Sequence, residues 1–272
     1  MLHYQTIRHA TSEEWVVFIH GAGGSSNVWY RQLRVFAKRY NILLIDLRGH
    51  GLSAMQKDPV PAAHAEPETY TFPKLARDVV EVLDHLGLRQ CHFVGLSLGT
   101  IIIREIVEID SSYVRSMILA GAVLKLDARA RFLSRTADLF KRMIPYMTLY
   151  RIYAYLIMPH PAHRNSRLIF ISNALKISHN EFLNWMTLNR NLNDLLNIYN
   201  TTEPPIPTLY VMGESDYVFL SQVRMQLQKS HRNSCLYIIP QAGHICNIDN
   251  SEAFNATVLA FLNDFGSTTG PF

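Results

Sequence analysis

The chain has no apolar run near the roughly 20 residues that a membrane-crossing helix needs; its longest are of strand length. Its opening residues, Met1 to Gln5, lack the basic segment followed by an apolar one that marks a secretory signal. Cysteine is scarce as well. Cys91, Cys235 and Cys246 form an odd, sparse set without metal-ligand spacing, so neither a disulfide framework nor a metal site is expected. Cys91 and Cys235 open apolar runs and read, with Cys246, as buried core thiols. Together these absences point to a cytoplasmic protein without integral membrane association. Excess charge is small: a net +4, with no basic cluster interleaved with aromatics, makes no case for nucleic acid. No Rossmann or P-loop fingerprint is present, so no nucleotide or other cofactor is expected. Nothing in the composition speaks to oligomeric state.

What the chain does have is length and apolar content for a sizeable core. Its 272 residues, 48% hydrophobic, suit one α/β domain with an insertion. Six apolar runs each end in turn chemistry: Trp15–Ile19, Ile42–Ile45, His92–Val94, Met117–Leu119, Leu209–Met212 and Leu236–Ile239. Their near-continuous hydrophobicity is that of strands covered on both faces. A further strand around His3–Arg8 has a weaker pattern. Helical spacing fills the gaps, over Asn27–Lys38, Phe72–Leu86, Leu98–Ile109, Leu220–Lys229 and Glu252–Phe265. The alternation predicts an α/β fold: a doubly wound, mostly parallel sheet with helices on both faces.

Residues 125–203 interrupt this rhythm. They hold no good strand and four helix-compatible segments, Arg129–Met143, Tyr146–Leu156, Arg164–Leu175 and Asn180–Leu196. The block reads as a helical cap inserted into a core of residues 1–124 and 204–272. It carries eleven Lys and Arg against five Asp and Glu, so the chain's positive charge belongs to it. The basic residues read first as a solvated face; attraction to an acidic substrate, acyl carrier or membrane surface is the other reading. Its aromatic and Met residues (Phe132, Phe140, Met143, Tyr146, Met147, Tyr150, Tyr153, Phe182, Trp185, Met186) should mostly form the cap's own core, with some facing a pocket below.

The chemistry starts at Gly95-Leu96-Ser97-Leu98-Gly99, between an apolar run and a helical pattern. A serine at such a junction takes a sharp turn that lifts its hydroxyl above the sheet, and glycines two residues away clear the space. A serine hydroxyl needs a general base, for which imidazole is suited, and the imidazole needs a carboxylate to fix its tautomer. Ligands of an open parallel sheet bind at the carboxyl ends of strands. Asp216 follows one late strand and His244 the next, giving the order Ser97, Asp216, His244. Two backbone N–H groups should hold the oxyanion: Leu98, after the serine, and Ala22 in the loop His20-Gly21-Ala22-Gly23-Gly24.

These motifs, with Asp46-Leu47-Arg48-Gly49-His50-Gly51-Leu52-Ser53, Gly213-Glu214-Ser215-Asp216 and Ala242-Gly243-His244, resemble the α/β-hydrolase-fold serine hydrolases. The resemblance is to the small esterase, lactonase and C–C hydrolase group with a helical cap, over about residues 15–265. It implies hydrolysis of a carboxylic ester or related small acyl compound through an acyl-enzyme. Lactonase, thioesterase or acyltransferase, and C–C bond hydrolase are alternatives on the same triad; a ligand receptor that keeps the scaffold is the alternative of another class. Serine at the nucleophile position argues against the aspartate chemistry of haloalkane dehalogenases and epoxide hydrolases. Asp127 and Glu214 remain competing acids, and His20 and His50 read as organisers of their loops.

Overall fold

The computed structural model describes residues 1–55, 70–125, 143–228 and 233–266. Seven strands form one sheet: β1 (Tyr4–Ile7), β2 (Trp15–Ile19), β3 (Asn41–Ile45), β4 (Cys91–Leu96), β5 (Val114–Ala120), β6 (Thr208–Gly213) and β7 (Ser234–Ile239). Their order is β1-β3-β2-β4-β5-β6-β7. β1 pairs antiparallel with β3, and every other pair is parallel. All six apolar runs are strands, as the weaker N-terminal segment also is.

Successive side chains on a strand face opposite sides, and this divides the core. From β2, Val17 and Ile19 belong to the core layer shared with α2 (Phe72–His85), α3 (Leu98–Ile109) and α8 (Leu220–Leu227). Val16 and Phe18 face the other way, toward α1 (Tyr30–Phe36) and α10 (Ser251–Gly266). The edge strand β7 departs from the expected pattern. Only one of its faces is covered, so Cys235 and Tyr237 point to solvent and Cys235 is not a core thiol.

Local signals set the helix ends. Thr71 caps α2 by accepting the Lys74 N–H, Pro73 occupies its first turn, and Gly87 at φ +65 ends it. α3 shows the opposite balance, because Ile101, Ile102, Ile103 and Ile106 are modest helix formers. Their propensity deficit is a few tenths of a kcal/mol each. Burial, complete or nearly so at all four, contributes about 1.5–3 kcal/mol each and wins. The segment expected as Asn27–Lys38 is a 3-10 turn, Ser26–Trp29, followed by α1.

Between β5 and β6 lie α4 (Tyr146–Ile157), α5 (Arg164–Ala174), α6 (His179–Met186) and α7 (Asn189–Thr201). The single helix expected over Asn180–Leu196 is therefore two. The Thr187 hydroxyl donates to the Asn184 carbonyl, a bond that competes with helix continuation, and Leu188 turns into the main core. The segment expected at Arg129–Met143 falls almost wholly outside the described residues. The four helices have a small core of their own, with Leu149, Tyr150, Phe182 and Met186. Trp185, Leu192, Leu196 and Tyr199 instead join the main core and fasten the insertion to the sheet domain.

Candidate active site

The parallel strands bring the carboxyl ends of β2, β4, β5, β6 and β7 to one edge of the sheet. β4 ends at Leu96, and Ser97 takes φ 53, ψ −121 before α3 begins. Such a conformation costs a non-glycine residue about 1–3 kcal/mol and persists only where neighbours hold it. Here the Ser97 N–H donates to the Ala120 carbonyl (2.9 Å), and the Ser97 carbonyl accepts from the Thr100 N–H (2.9 Å) and hydroxyl (2.6 Å). Close approach requires glycine nearby. A Cβ on Gly99 would lie 2.5 Å from the Ile19 carbonyl oxygen, and one on Gly21 would lie 3.0 Å from the Ser97 Cβ.

The Ser97 hydroxyl lies 2.9 Å from His244 Nε2, and His244 Nδ1–H donates to Asp216 Oδ2 at 2.8 Å. The other Asp216 oxygen accepts the N–H groups of Phe219 (3.1 Å) and Val218 (3.3 Å), so both oxygens are engaged and the carboxylate is oriented. Asp216 and His244 are buried. Glu214 is turned away, its exposed carboxylate accepting the Gln241 N–H at 3.0 Å. Asp127 lies outside the described residues. A serine, an imidazole and a buried carboxylate thus stand in one hydrogen-bonded line, an arrangement suited to passing the serine proton to nitrogen.

The loop 20–24 runs beside Ser97. Neither the Ala22 N–H nor the Leu98 N–H donates to any group among the described residues. Leu98 opens α3, where helix geometry leaves N–H groups without internal partners. Two buried histidines shape this loop. His50 Nε2 accepts the Gly23 N–H (2.9 Å) while its Nδ1–H donates to the Arg48 carbonyl (3.0 Å). His20 Nε2 accepts the Leu47 N–H (2.9 Å) while its Nδ1–H donates to the Gly21 carbonyl (2.7 Å). Burial lowers both pKa values, that of His50 to about 3 with the neighbouring His20 adding to the shift, so both rings are neutral. Burial alone would raise Asp46, but the Ser26 and Leu52 N–H groups outweigh it and hold that carboxyl below its usual range. His20 and His50 organise backbone and do not touch Ser97.

A cavity of about 920 Å³ opens above Ser97. Ala22, Ser97, Leu98 and His244 line its floor; Tyr150, Phe170, Phe182 and Met186 come from the inserted helices. Among the described residues no Asp, Glu, Lys or Arg lines it. Of the aromatic and Met residues expected in the insertion, Tyr153 and Trp185 also face the cavity, whereas Tyr146 and Met147 pack within the insertion and Met143 is exposed. Phe132 and Phe140 lie outside the described residues. Among the described residues no three His, Cys, Asp or Glu side chains converge as a metal site requires.

The profile of the family described as alpha/beta hydrolase fold matches residues 14–156. The chain belongs to that family. Proteins named putative carbamate hydrolase RutD are similar along nearly the whole sequence. The one from Stutzerimonas stutzeri is 26% identical over 251 residues, 91% of each chain. That from Acinetobacter baylyi is 25% identical over 278 residues, 98% of this chain and 100% of that one. Two solved structures share the fold. MenH from S. aureus superposes with a TM-score of 0.76 at 18% identity, over 98% of this chain and 100% of its own. An enol-lactonase from Burkholderia xenovorans LB400 gives 0.74 at 19%, over 96% of each.

This α/β hydrolase has further residues at its site that the sequence did not reveal. The short helix α9 (Cys246–Asp249) follows His244. Asp249 Oδ2 accepts the Gly243 N–H at 2.9 Å, and its Oδ1 accepts the hydroxyl of Ser166 on α5. The buried His163 ring packs on Gly243, where a Cβ would lie 2.6 Å from it. A carboxylate five residues beyond His244 was the only available trace of this contact. Nothing in the sequence marks Ser166 or His163. Cys246, beside this loop, is wholly buried, and burial pushes its thiol pKa well up, so it stays a protonated core thiol.

Proposed function

We propose that this α/β hydrolase is a serine hydrolase that cleaves a carboxylic ester or related acyl compound through an acyl-enzyme. The observation that carries the reading is the hydrogen-bonded line Ser97, His244, Asp216 beside the unengaged N–H groups of Ala22 and Leu98. Ser97 Oγ attacks the substrate carbonyl while His244 Nε2 takes its proton. Asp216 keeps Nδ1 protonated and stabilises the imidazolium. Ala22 and Leu98 donate to the oxyanion, a donor in that place being worth about 10²–10³ in turnover. His244 then protonates the departing alkoxide, deprotonates a water that attacks the acyl-enzyme, and returns the proton to Ser97 as the acid leaves. In this reading α4–α7 act as a cap that closes the reaction from water.

The cavity favours an uncharged, largely apolar acyl group, because its described lining is mostly apolar and its volume lies in the range of about 300–1,000 Å³ typical of sites for larger organic ligands. Similarity to the RutD proteins supports a second reading, hydrolysis of carbamate. That ion has four non-hydrogen atoms and would fill about the space of two or three waters at ~30 Å³ each. It would leave most of about 920 Å³ empty, and no cation among the described lining residues would meet its charge. The ester reading is therefore preferred.

A fluorophosphonate probe and a substrate panel test it. The probe should label folded wild-type protein at Ser97 and leave Ser97→Ala unlabelled. Nitrophenyl esters of increasing acyl length, lactones and carbamate should give the highest kcat/KM with medium-length esters. Turnover of carbamate without esters would establish the second reading. No labelling and no turnover, with apolar ligands still bound, would make the protein a receptor.

A further inference from the structure

The outer face of the α4–α5 hairpin has the wrong chemistry for water. α4 buries Leu149, Tyr150 and Ala154 inward. Its exposed positions, at helical spacing, are Thr148, Arg151, Ile152, Tyr155 and Leu156, followed by Pro159. Ile152, Tyr155 and Leu156 are 42%, 60% and 47% exposed. A helix apolar on both faces is expected inside a protein or against another apolar phase. The neighbouring α5 adds Leu168 and, just past its end, Leu175, 55% and 58% exposed. The two helices pack together through Tyr150 and Phe170, whose ring centroids are 5.6 Å apart. Their outer faces meet where the Arg167 guanidinium lies 4.8 Å from the centroid of the Tyr155 ring.

Among the described residues of this hairpin the charge has one sign. From Met143 to Asn180 the chain has no Asp or Glu, while Arg151, Arg164 and Lys176 are exposed beside the apolar positions. We propose that the α4–α5 hairpin docks on an anionic lipid surface, its apolar strip entering the headgroup boundary and its cations meeting lipid phosphates. An anionic headgroup layer above acyl chains offers both chemistries in one surface. At 12 residues α4 is too short to cross a bilayer, so it lies in the interface plane. Leu156 both belongs to this strip and lines the cavity above Ser97. Docking therefore sets the Leu156 side of the cavity wall against the phase in which apolar acyl compounds collect.

Vesicle flotation tests the docking without reference to turnover, so its outcome is separate from that of the ester reading. Wild-type protein should float with vesicles of phosphatidylcholine and phosphatidylglycerol, stay behind with phosphatidylcholine alone, and detach as salt rises. Arg151→Gln with Arg164→Gln should lower partitioning roughly 30-fold, and Ile152→Glu should abolish it. Both variants should keep wild-type Tm and wild-type rates on a water-soluble acetyl ester. Should Ile152→Glu fail to fold, the exposed arginine pair still decides the question. Equal binding to both vesicle types, no binding at low salt, or binding unmoved by the arginine pair would overturn the proposal. So would sedimentation as a dimer that Ile152→Glu dissolves without vesicle binding, which would assign the face to a second copy of the chain.

Discussion

Ser97 holds its hydroxyl at a backbone angle that glycine alone adopts without strain. Ser97→Ala and Ser97→Gly should both be inactive, but only the glycine variant relieves the turn. It should be more stable than the alanine variant by about 1 kcal/mol, a rise of a few degrees in Tm by calorimetry. Equal melting would mean that the turn stores no strain. The acid can be assigned at the same scale. Asp216→Asn should keep the fold and lower kcat by about 10⁴, because the His244 tautomer is no longer fixed. Glu214→Gln, at an exposed carboxylate that accepts the Gln241 N–H, should leave steady-state kinetics near wild type. The convergence of Ser97, His244 and Asp216 was legible in the sequence because each sits just after a strand whose apolar run announces itself. Asp249 and Ser166 were not. Their contact joins elements about 80 residues apart, and no local pattern encodes which hydroxyl reaches which carboxylate.

Elements differed in legibility for a physical reason. Strands covered on both faces produce unbroken apolar runs, so β2 through β6 were readable from hydrophobicity. β7 lies at the edge, and only the structure reveals that Cys235 and Tyr237 face outward. The insertion was legible as helical because it lacked strands. Its division into α6 and α7 falls at Thr187 and Leu188, where no glycine or proline announces a break, and its cavity-lining residues depend on how four helices pack. Asp249 is the element-scale link, tying α5 to the loop that carries His244. Asp249→Ala leaves the Gly243 N–H and Ser166 hydroxyl without an acceptor, at about 1–3 kcal/mol for each that stays buried. It should lower kcat and the rate of fluorophosphonate labelling while KM for an acetyl ester changes little. Unchanged labelling alongside a lowered Tm would reduce Asp249 to a structural tie.

For the whole molecule, acid is the expected weakness. His50 and His92 are held neutral at about 3 and about 4, chiefly by burial, with His20 and Arg115 respectively adding to the shift; burial lowers His20 as well. Their ordinary value is 6.5, so as pH falls the unfolded chain takes up these protons first. The stability they contribute is complete above about pH 6.5 and is lost on the way down to the folded values. His50 and His92 should each remove about 1.4 kcal/mol per pH unit across the acidic range. Calorimetry should therefore find Tm steady above neutrality and falling steeply below pH 6; a flat profile from pH 7 to 5 would contradict the neutral burial. At this same scale, the chain leaves the sheet after Ala120 on β5 and rejoins it at Thr208 on the neighbouring strand β6, opposite Met117. The sheet fixes both ends of this block, so a replacement of twice the length would add only about 0.6 kcal/mol of closure cost. Under the proposed function, transplanting this block as a cassette should rewrite substrate range. The transplant carries one compatibility requirement: it must present a hydroxyl to Asp249, the carboxylate that also holds the Gly243 N–H beside His244.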